Sequence, residues 1–460
     1  MSDITLTFVG DLLCYKEQID CAYDPLSKQH DFAPCFLDVK KYFTDSDYVV
    51  GNLETPLAGN KVKLSQRKVS AGFNAPDEFL VALKNMGIDC FTTANNHCYD
   101  RDEEGLLQTI RTLDKYHVDH VGTYASSNEQ SGVFIKEING VRIAFIAYTF
   151  GINHCVHGNV IPKNKSYLVN FIAPYELQQF ECLWNIFPNL LKRPAYRKVR
   201  ALLTGINESY TYNDLCEKIE FDIKKAKASD VDLVILLPHV GIEFIPSPLP
   251  FSKEWVKRFA RAGADVIIGG HPHVVQPLDF CKIVDGQSER TCFVIFSLGN
   301  FIAVDRPYWP TDLCIGSLIL NLHISYDSNK NRYFVSNVSY TPTHIHKKTH
   351  AGKEIIAVSS ILDSLRDLKK RGMGDSNEYR ELFSLNANIY KILTGIKSPC
   401  YLPDSQYILK LGDVHHECVL PANKEVIRYF FKKGIPGIGY GFYLRFIRAL
   451  NFLVGCGDAK

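Results

Sequence analysis

The residues able to do chemistry in this sequence stand at the ends of apolar runs. Asp11 closes ITLTFVGD, Glu54 closes YVVGNLE, Asn95, Asn96 and His97 close CFTTANNH, His239 closes DLVILLPH, and His271 and His273 close DVIIGGHPH. Taken singly, each has an ordinary reading: a carboxylate caps a helix or sits in solvent, an asparagine tolerates the left-handed geometry of a turn, and a histidine simply ends a strand. Together they repeat one context, an apolar strand running into a hard or borderline metal ligand. Two carboxylates, one of them able to bridge, a side-chain amide and three imidazoles form a mixed nitrogen and oxygen set. That set suits two divalent ions such as Mn, Fe, Zn or Co, and it lacks the thiolates of a structural zinc site. If the histidines only cap strands, the protein holds no metal.

The His271-Pro272-His273 spacing has its own logic. In an extended segment, residues two apart point to the same side, so both imidazoles face one pocket while Pro272 stiffens the chain between them. The preceding Gly269 and Gly270 let the backbone approach its neighbours closely.

The elements that must position these residues are short buried strands with helices between them. Helical patterns run through APDEFLVALKNMG, EEGLLQTIRTLDKYH and SKEWVKRFARAG, the last two closing on His and Gly as helix C-termini do. Strands alternating with helices predict an α/β sheet. It is not purely parallel, because VFIKEINGVRIAFIAY carries the hairpin turn Asn139-Gly140, and a second hairpin turns at Ser328, Asn329 and Lys330. A mixed, layered sheet follows, with ligands collecting outside the carboxyl ends of the strands. From about 152 to 220 the pattern becomes aromatic-rich and less regular, with helical stretches around YELQQFECLWNIF and YNDLCEKIEFDIKKAKA, and reads as a lid-like helical insertion. We expect a main domain over 1–350 and a separate C-terminal helical extension over 351–460.

Composition is that of an ordinary globular chain, 46% hydrophobic and 22% charged over 460 residues. A formal net charge of +2 provides no global field to gather nucleic acid, and none is expected as a partner. The 14 cysteines are irregularly spaced, form no C-x-x-C unit and read as buried free thiols. The N-terminus runs straight into a strand without a signal-peptide pattern, and no segment has the length of a transmembrane helix. These features predict a cytoplasmic protein. Residues 426–456, however, set Lys432, Lys433, Arg445 and Arg448 among aromatics and glycines. Such a segment either packs onto the main domain or makes a peripheral contact with a membrane or a synthase.

Taken in order, GDLL at 10 to 13, GNLETPL at 51 to 57, ANNHCYDRDEEGL at 94 to 106, HVGIEF at 239 to 244, GADVIIGGHPHVVQ at 263 to 276 and FSLGNF at 296 to 301 resemble the successive motifs of the CapA family. That family, named for capsule and poly-γ-glutamate synthesis, is placed in the calcineurin-like metallophosphatase superfamily. The resemblance covers about residues 4 to 345. It implies a layered metallophosphatase-like fold and a metal-dependent hydrolase acting on an anionic small molecule or polymer. Asp11 would hold the first metal, Glu54 would bridge, Asn96 and His239 would hold the second, and His271 and His273 would complete the two spheres. His97 would face the substrate, with Asp100 and Glu243 orienting His97 and His239 respectively. Asn52, Asn95 and Asn300 would be substrate contacts, Asn300 equally a structural cap. The sequence departs from the pattern at Leu13, where the wider superfamily has a metal-binding histidine, and at Val240 and Asp102, where the family commonly has tryptophan and glycine. On this resemblance phosphoester hydrolysis comes first. Cleavage or transfer at a γ-glutamyl amide, and a non-catalytic role beside a capsule polymer synthase, are the alternatives.

Overall fold

The computed structural model describes residues 3–59, 72–130, 132–154, 159–172, 214–248, 250–285, 288–304, 309, 311–396 and 402–409. Along the chain run β1 (Ile4–Leu12), α1 (Lys16–Ala22), β2 (Tyr48–Leu53), α2 (Asp77–Met86), β3 (Cys90–Thr92), α3 (Asp102–Lys115) and β4 (Asp119–Val121). Then come β5 (Phe134–Ile138), β6 (Val141–Thr149), α4 (Asp214–Lys227), β7 (Leu233–His239), α5 (Pro250–Ala262), β8 (Val266–Ile268), β9 (Leu278–Asp285), β10 (Ser288–Ile295) and β11 (Asn300–Ile302). The C-terminal part holds β12 (Gly316–Asp327), β13 (Arg332–His350), β14 (Lys353–Ser360), α6 (Ile361–Lys370), α7 (Asn377–Thr394) and β15 (Tyr407–Leu409).

These strands build two sheets. The larger, nine-stranded one runs β14-β13-β12-β1-β2-β3-β4, with β11 paired to β1 and β15 to β13. The six-stranded sheet runs β9-β10-β8-β7-β6-β5. Both are mixed: β1, β2, β3 and β4 are parallel while β12 lies antiparallel to β1, and β6, β7, β8 and β10 are parallel while β5 and β9 are antiparallel edges. The Asn139-Gly140 turn joins β5 to β6 with both residues at positive φ, as a tight hairpin of right-twisted strands requires.

The period of two along each strand explains the layers. Ile143, Phe145 and Ala147 of β6 point into the same core as Leu6 and Phe8 of β1 and Leu233, Ile235 and Leu237 of β7. The alternate residues Ala144, Ile146 and Tyr148 point outward and pack under α4 and α5 through Ile219, Ile223, Trp255 and Phe259. On the far side of the larger sheet, Val9, Val49 and Phe91 pack against Phe79 and Leu83 of α2. The order is helix, sheet, sheet, helix, an α/β architecture of mixed sheets flanked by helices. Each fully buried Val, Ile, Leu or Phe contributes roughly 1.5–3 kcal/mol of transfer free energy.

Two expectations change. The boundary expected near residue 350 falls in the turn between β13 and β14. Beyond it β14 continues the larger sheet, and Leu362, Leu365, Leu385 and Ile389 of α6 and α7 join the central core. Burial of that apolar helix face ties residues 353–394 to the main domain. Residues 214–220, expected in the insertion, begin α4 of the outer helical layer. The rest of the insertion from 173 to 213 and the basic aromatic segment 426–456 lie outside the described residues. Among the described residues the cysteines are free, most of them buried, and no helix is long and apolar enough to cross a membrane.

Candidate metal centre

The chemistry-bearing residues converge where the carboxyl ends of the parallel strands of both sheets face each other. Asp11 lies in β1, Asn52 in β2 and His239 at the last position of β7. Glu54 follows β2, Asn95, Asn96 and His97 follow β3, His271 and His273 follow β8, and Asn300 opens β11. Parallel pairing brings the strand ends level: Asp11 is in register with both Asn52 and Asn300, and β2 with β3. A crevice between them is lined by Gly10, Asp11, Asn52, Thr92, His239 and Gly270.

Glu54 is the centre of the arrangement. It is 0% exposed, and neither carboxylate oxygen accepts a hydrogen bond. Oε1 faces His239 Nε2 at 3.4 Å and His273 Nε2 at 3.7 Å. Two groups have ligand atoms within 4.8 Å of one another, Asp11 with Glu54 and His239, and Glu54 with His271 and His273, so Glu54 is common to both. The resemblance assigned Asp11 and His239 to different metals, whereas here they share a group. A buried carboxylate without donors is costly unless a cation meets it. The donor set is nitrogen and oxygen only, and these residues fit two borderline divalent ions.

The electrostatics follow from packing acids and imidazoles together. Asp11 accepts from Asn52 Nδ2 at 2.8 Å and faces His273 Nδ1 at 3.2 Å. Burial pushes its pKa up, but the bond and charge of His273, the charge of His239 and the Asn52 bond prevail and hold it below the usual carboxylate value. His273 shows the reverse balance. Burial favours the neutral ring, yet Glu54, Asp11 and Glu243 together raise it to about 10, so without a metal a proton meets the demand of the two acids. At His271 burial dominates. Burial, then the charges of His239, His273 and His97, drive its pKa well down, and its buried Nδ1 has no hydrogen-bond partner. A neutral imidazole with an uncommitted nitrogen is the state a metal requires.

His97 is set differently. Its Nδ1 lies 2.8 Å from Asp100 Oδ2, which also accepts from Phe73 N at 2.8 Å. The Phe73 ring stands edge-on to it at 4.5 Å. Burial opposes the charged ring, but the charge and hydrogen bond of Asp100, with Glu54 behind them, outweigh it and raise the pKa of His97. This pairing leaves Nε2 as the ring atom available to a substrate.

Several residues are placed otherwise than expected. His271 and His273 do share a pocket, with ring centroids 5.9 Å apart, but not through an extended backbone. His271 has φ 97° and His273 φ 56°, so the segment is a left-handed turn. Such geometry in non-glycine residues costs of order 1–3 kcal/mol each and persists only where the surroundings enforce it. Here Val240 N donates to Gly270 O at 3.1 Å and Phe244 N to Pro272 O at 2.7 Å, clamping the turn to the end of β7. Gly270 leaves room for both side chains, since a Cβ there would lie 3.0 Å from Asp11 Oδ1 and 3.3 Å from His239 Nδ1, a tight contact.

The three asparagines expected to touch substrate all hydrogen-bond within the centre, Asn95 and Asn300 buried there and Asn52 half-buried. Asn52 donates to Asp11, lies 3.2 Å from His239 Nδ1, and accepts from Thr92 Oγ1 and Asn95 Nδ2, each at 3.1 Å. Asn95 also donates to Leu53 O at 2.8 Å, and Asn300 Oδ1 lies 2.9 Å from His273 Nδ1. Glu243 acts on the charge of His273, while the ring nitrogens of His239 face Asn52 and Asn96 Oδ1, the latter at 2.8 Å. Sequence reasoning missed the aromatic wall: Phe73 against His97, Phe150 at 4.5 Å from His271 and Phe244 at 6.0 Å from His273. Phe150 directly follows β6.

The family model described as "Bacterial capsule synthesis protein PGA_cap" matches residues 5–305. The "Capsule biosynthesis protein CapA" of Bacillus anthracis is 26% identical over 300 residues, 65% of this chain and 59% of that protein. The chain thus spans under two thirds of that relative's length. The "PGA biosynthesis protein CapA" of Bacillus subtilis (strain 168) is 25% identical over 352 residues, 76% of this chain and 73% of that protein. A crystal structure of a hypothetical protein from Thermus thermophilus superposes with a TM-score of 0.31 and 12% identity over 77% of this chain and 97% of that one, too distant a likeness to carry an argument. The strand-end carboxylates, asparagines and histidines all lie inside the matched stretch, and the chain belongs to the bacterial capsule synthesis protein family, the family of CapA.

Proposed function

We propose that this protein is a metal-dependent hydrolase whose substrate is a phosphoester, acting in the capsule or poly-γ-glutamate biosynthesis for which its relatives are named. One observation carries the reading. Glu54, buried and without a hydrogen bond at either oxygen, is common to two ligand groups and stands beside a His97–Asp100 pair. Asp11, Glu54, Asn96, His239, His271 and His273 would hold two divalent ions. Bound there, such ions supply positive charge to the oxygens of a phosphoryl group and acidify a water molecule.

The chain's own residues do the rest. Asp100 fixes the His97 ring through Nδ1 and favours its protonated form, so that Nε2–H can donate to the leaving oxygen. Phe73, Phe150 and Phe244 keep water from the imidazole faces, which strengthens every charge interaction inside. Asn52 and Asn300 hold Asp11 and His273 in place.

The test is turnover of a panel of phosphomonoesters and phosphodiesters by protein loaded with Mn2+, beside chelator-treated protein. Metal-dependent release of phosphate or alcohol is expected, and no turnover of any ester overturns the reading. Cleavage of γ-linked glutamate oligomers in its place would make the reaction amide hydrolysis or transfer. We also propose that segment 426–456 contacts a membrane surface or a polymer synthase. Truncation after residue 425 is expected to abolish that association with hydrolysis intact, and an insoluble truncated protein would show instead that the segment packs onto the core.

A further inference from the structure

The structure assigns Asn153, which no motif singled out, as the positioning residue that turns the amide of Asn96 so that its oxygen faces the ligand cluster. The inference rests on reading that cluster as a metal centre. An asparagine side chain is nearly symmetric in shape, with an acceptor oxygen on one side and a donor nitrogen on the other. Only the oxygen can bind a divalent cation, so an Asn ligand needs something to decide which end points inward. Asn96 is 1% exposed, and its Oδ1 lies 2.8 Å from His239 Nε2 on the cluster side. On the opposite side its Nδ2 donates to Asn153 Oδ1 at 3.2 Å. If Asn96 flipped, Nδ2 would approach the cations, and two acceptor oxygens would meet at position 153.

The backbone around Asn153 is built for this contact. Asn153 has φ 59°, a left-handed conformation that Asn tolerates and most side chains do not. Its loop follows β6 and is tied to the turn that carries the catalytic histidine. Buried Asn159 donates through Nδ2 to Ile152 O at 3.0 Å and to Tyr99 O at 3.3 Å, spanning the two segments. His154 Nδ1 lies 2.7 Å from Asn159 O, a second tie between Asn159 and the residues around Asn153. Asn153 Nδ2 stands 3.4 Å from His97 Nδ1, whose closer partner is Asp100, so the contact with Asn96 is the directing one.

The test is metal affinity rather than turnover. Metal-free protein is titrated with Co2+, followed by visible absorption, and with Mn2+, followed by calorimetry. Asn153→Gly keeps the left-handed backbone and removes the side chain, and it is expected to weaken one site by about 10–100-fold, the usual cost of losing a residue that orients a ligand. Asn153→Asp still offers an oxygen to Asn96 Nδ2 and is expected to bind within a few-fold of wild type. The decisive variant is Asn96→Asp combined with Asn153→Gly. A carboxylate presents oxygen at both ends and needs no orienting partner, so this double variant should recover the affinity lost in Asn153→Gly alone. Wild-type affinity in Asn153→Gly, or a loss that persists in the double variant, overturns the assignment while leaving the metal centre intact. No metal uptake by the wild type removes both.

Discussion

Replacing Glu54 by Gln should abolish the response of the fold to metal. In the metal-free protein the Glu54 carboxylate is 0% exposed and unbonded at both oxygens. An unsatisfied buried polar group costs roughly 1–3 kcal/mol, more when charged. Glu54→Gln keeps the shape, and relief of the unbonded carboxylate opposes the loss of its attraction for protonated His273, so the metal-free variant and wild type should lie within about 1 kcal/mol of each other. Melting entropy scales at about 2.1 cal/mol/K per residue, so a chain of 460 residues shifts by about 1 °C per kcal/mol. With Mn2+ at 100 times its dissociation constant, each occupied site stabilises the fold by about 2.7 kcal/mol. Both ligand groups use Glu54, so wild type should rise by about 5 °C and the variant by less than about 1 °C. The two midpoints therefore separate by about 4 °C on metal addition. Thermal melts of chelated and Mn2+-loaded protein, read by calorimetry, decide it. Equal metal shifts in the two proteins, or a wild-type midpoint that ignores metal, would refute the claim that Glu54 bridges a cation pair.

Two further outcomes follow from the titrating groups. Asp100→Asn removes the charge that holds the pKa of His97 above its ordinary value, while burial, which lowers it, remains. If His97 acts as the acid, turnover falls as pH rises through its pKa. The alkaline limb of the pH–rate profile should therefore move to lower pH, with kcat/KM at pH 8 down by about 10–100-fold, and an unmoved limb would exclude His97 as the proton donor. The second concerns acid stability. Burial, then the charge of His346 stacked on it at 4.6 Å, lower the pKa of His344 to about 3. Unfolded chains take up this proton near pH 6.5, so between about pH 6.5 and 3 the unfolded state binds more protons and stability rises with pH, complete above 6.5. Acidification from pH 7 to 5 should cost about 2 kcal/mol through His344 alone. His344→Gln should lose about that much less in urea denaturation at the two pH values, and an equal loss in variant and wild type would show that His344 is not buried neutral.

How much of the molecule a one-dimensional reading can supply depends on the range of the interactions concerned. Strand periodicity, the Asn139-Gly140 hairpin and the polar residues closing each apolar run are local properties, set by side-chain alternation and backbone sterics within a few residues. They sufficed to place Asp11, Glu54, Asn96, His97, His239, His271 and His273 at strand ends, and the order of their motifs pointed to the family. What each group does once there depends on partners far away in sequence. Asn96 meets His239 across 143 positions, and His271 meets Asp11 across 260. Asn95 and Asn300 bond within the cluster because burial forces an amide to spend its hydrogen bonds on whatever packs against it. The left-handed turn at His271 and His273 is likewise imposed from outside, by the end of β7 gripping a segment whose own preference is extended. Strand pairing also decided that residues beyond 350 complete the larger sheet, because pairing depends on which edge is free and not on the strand's own pattern.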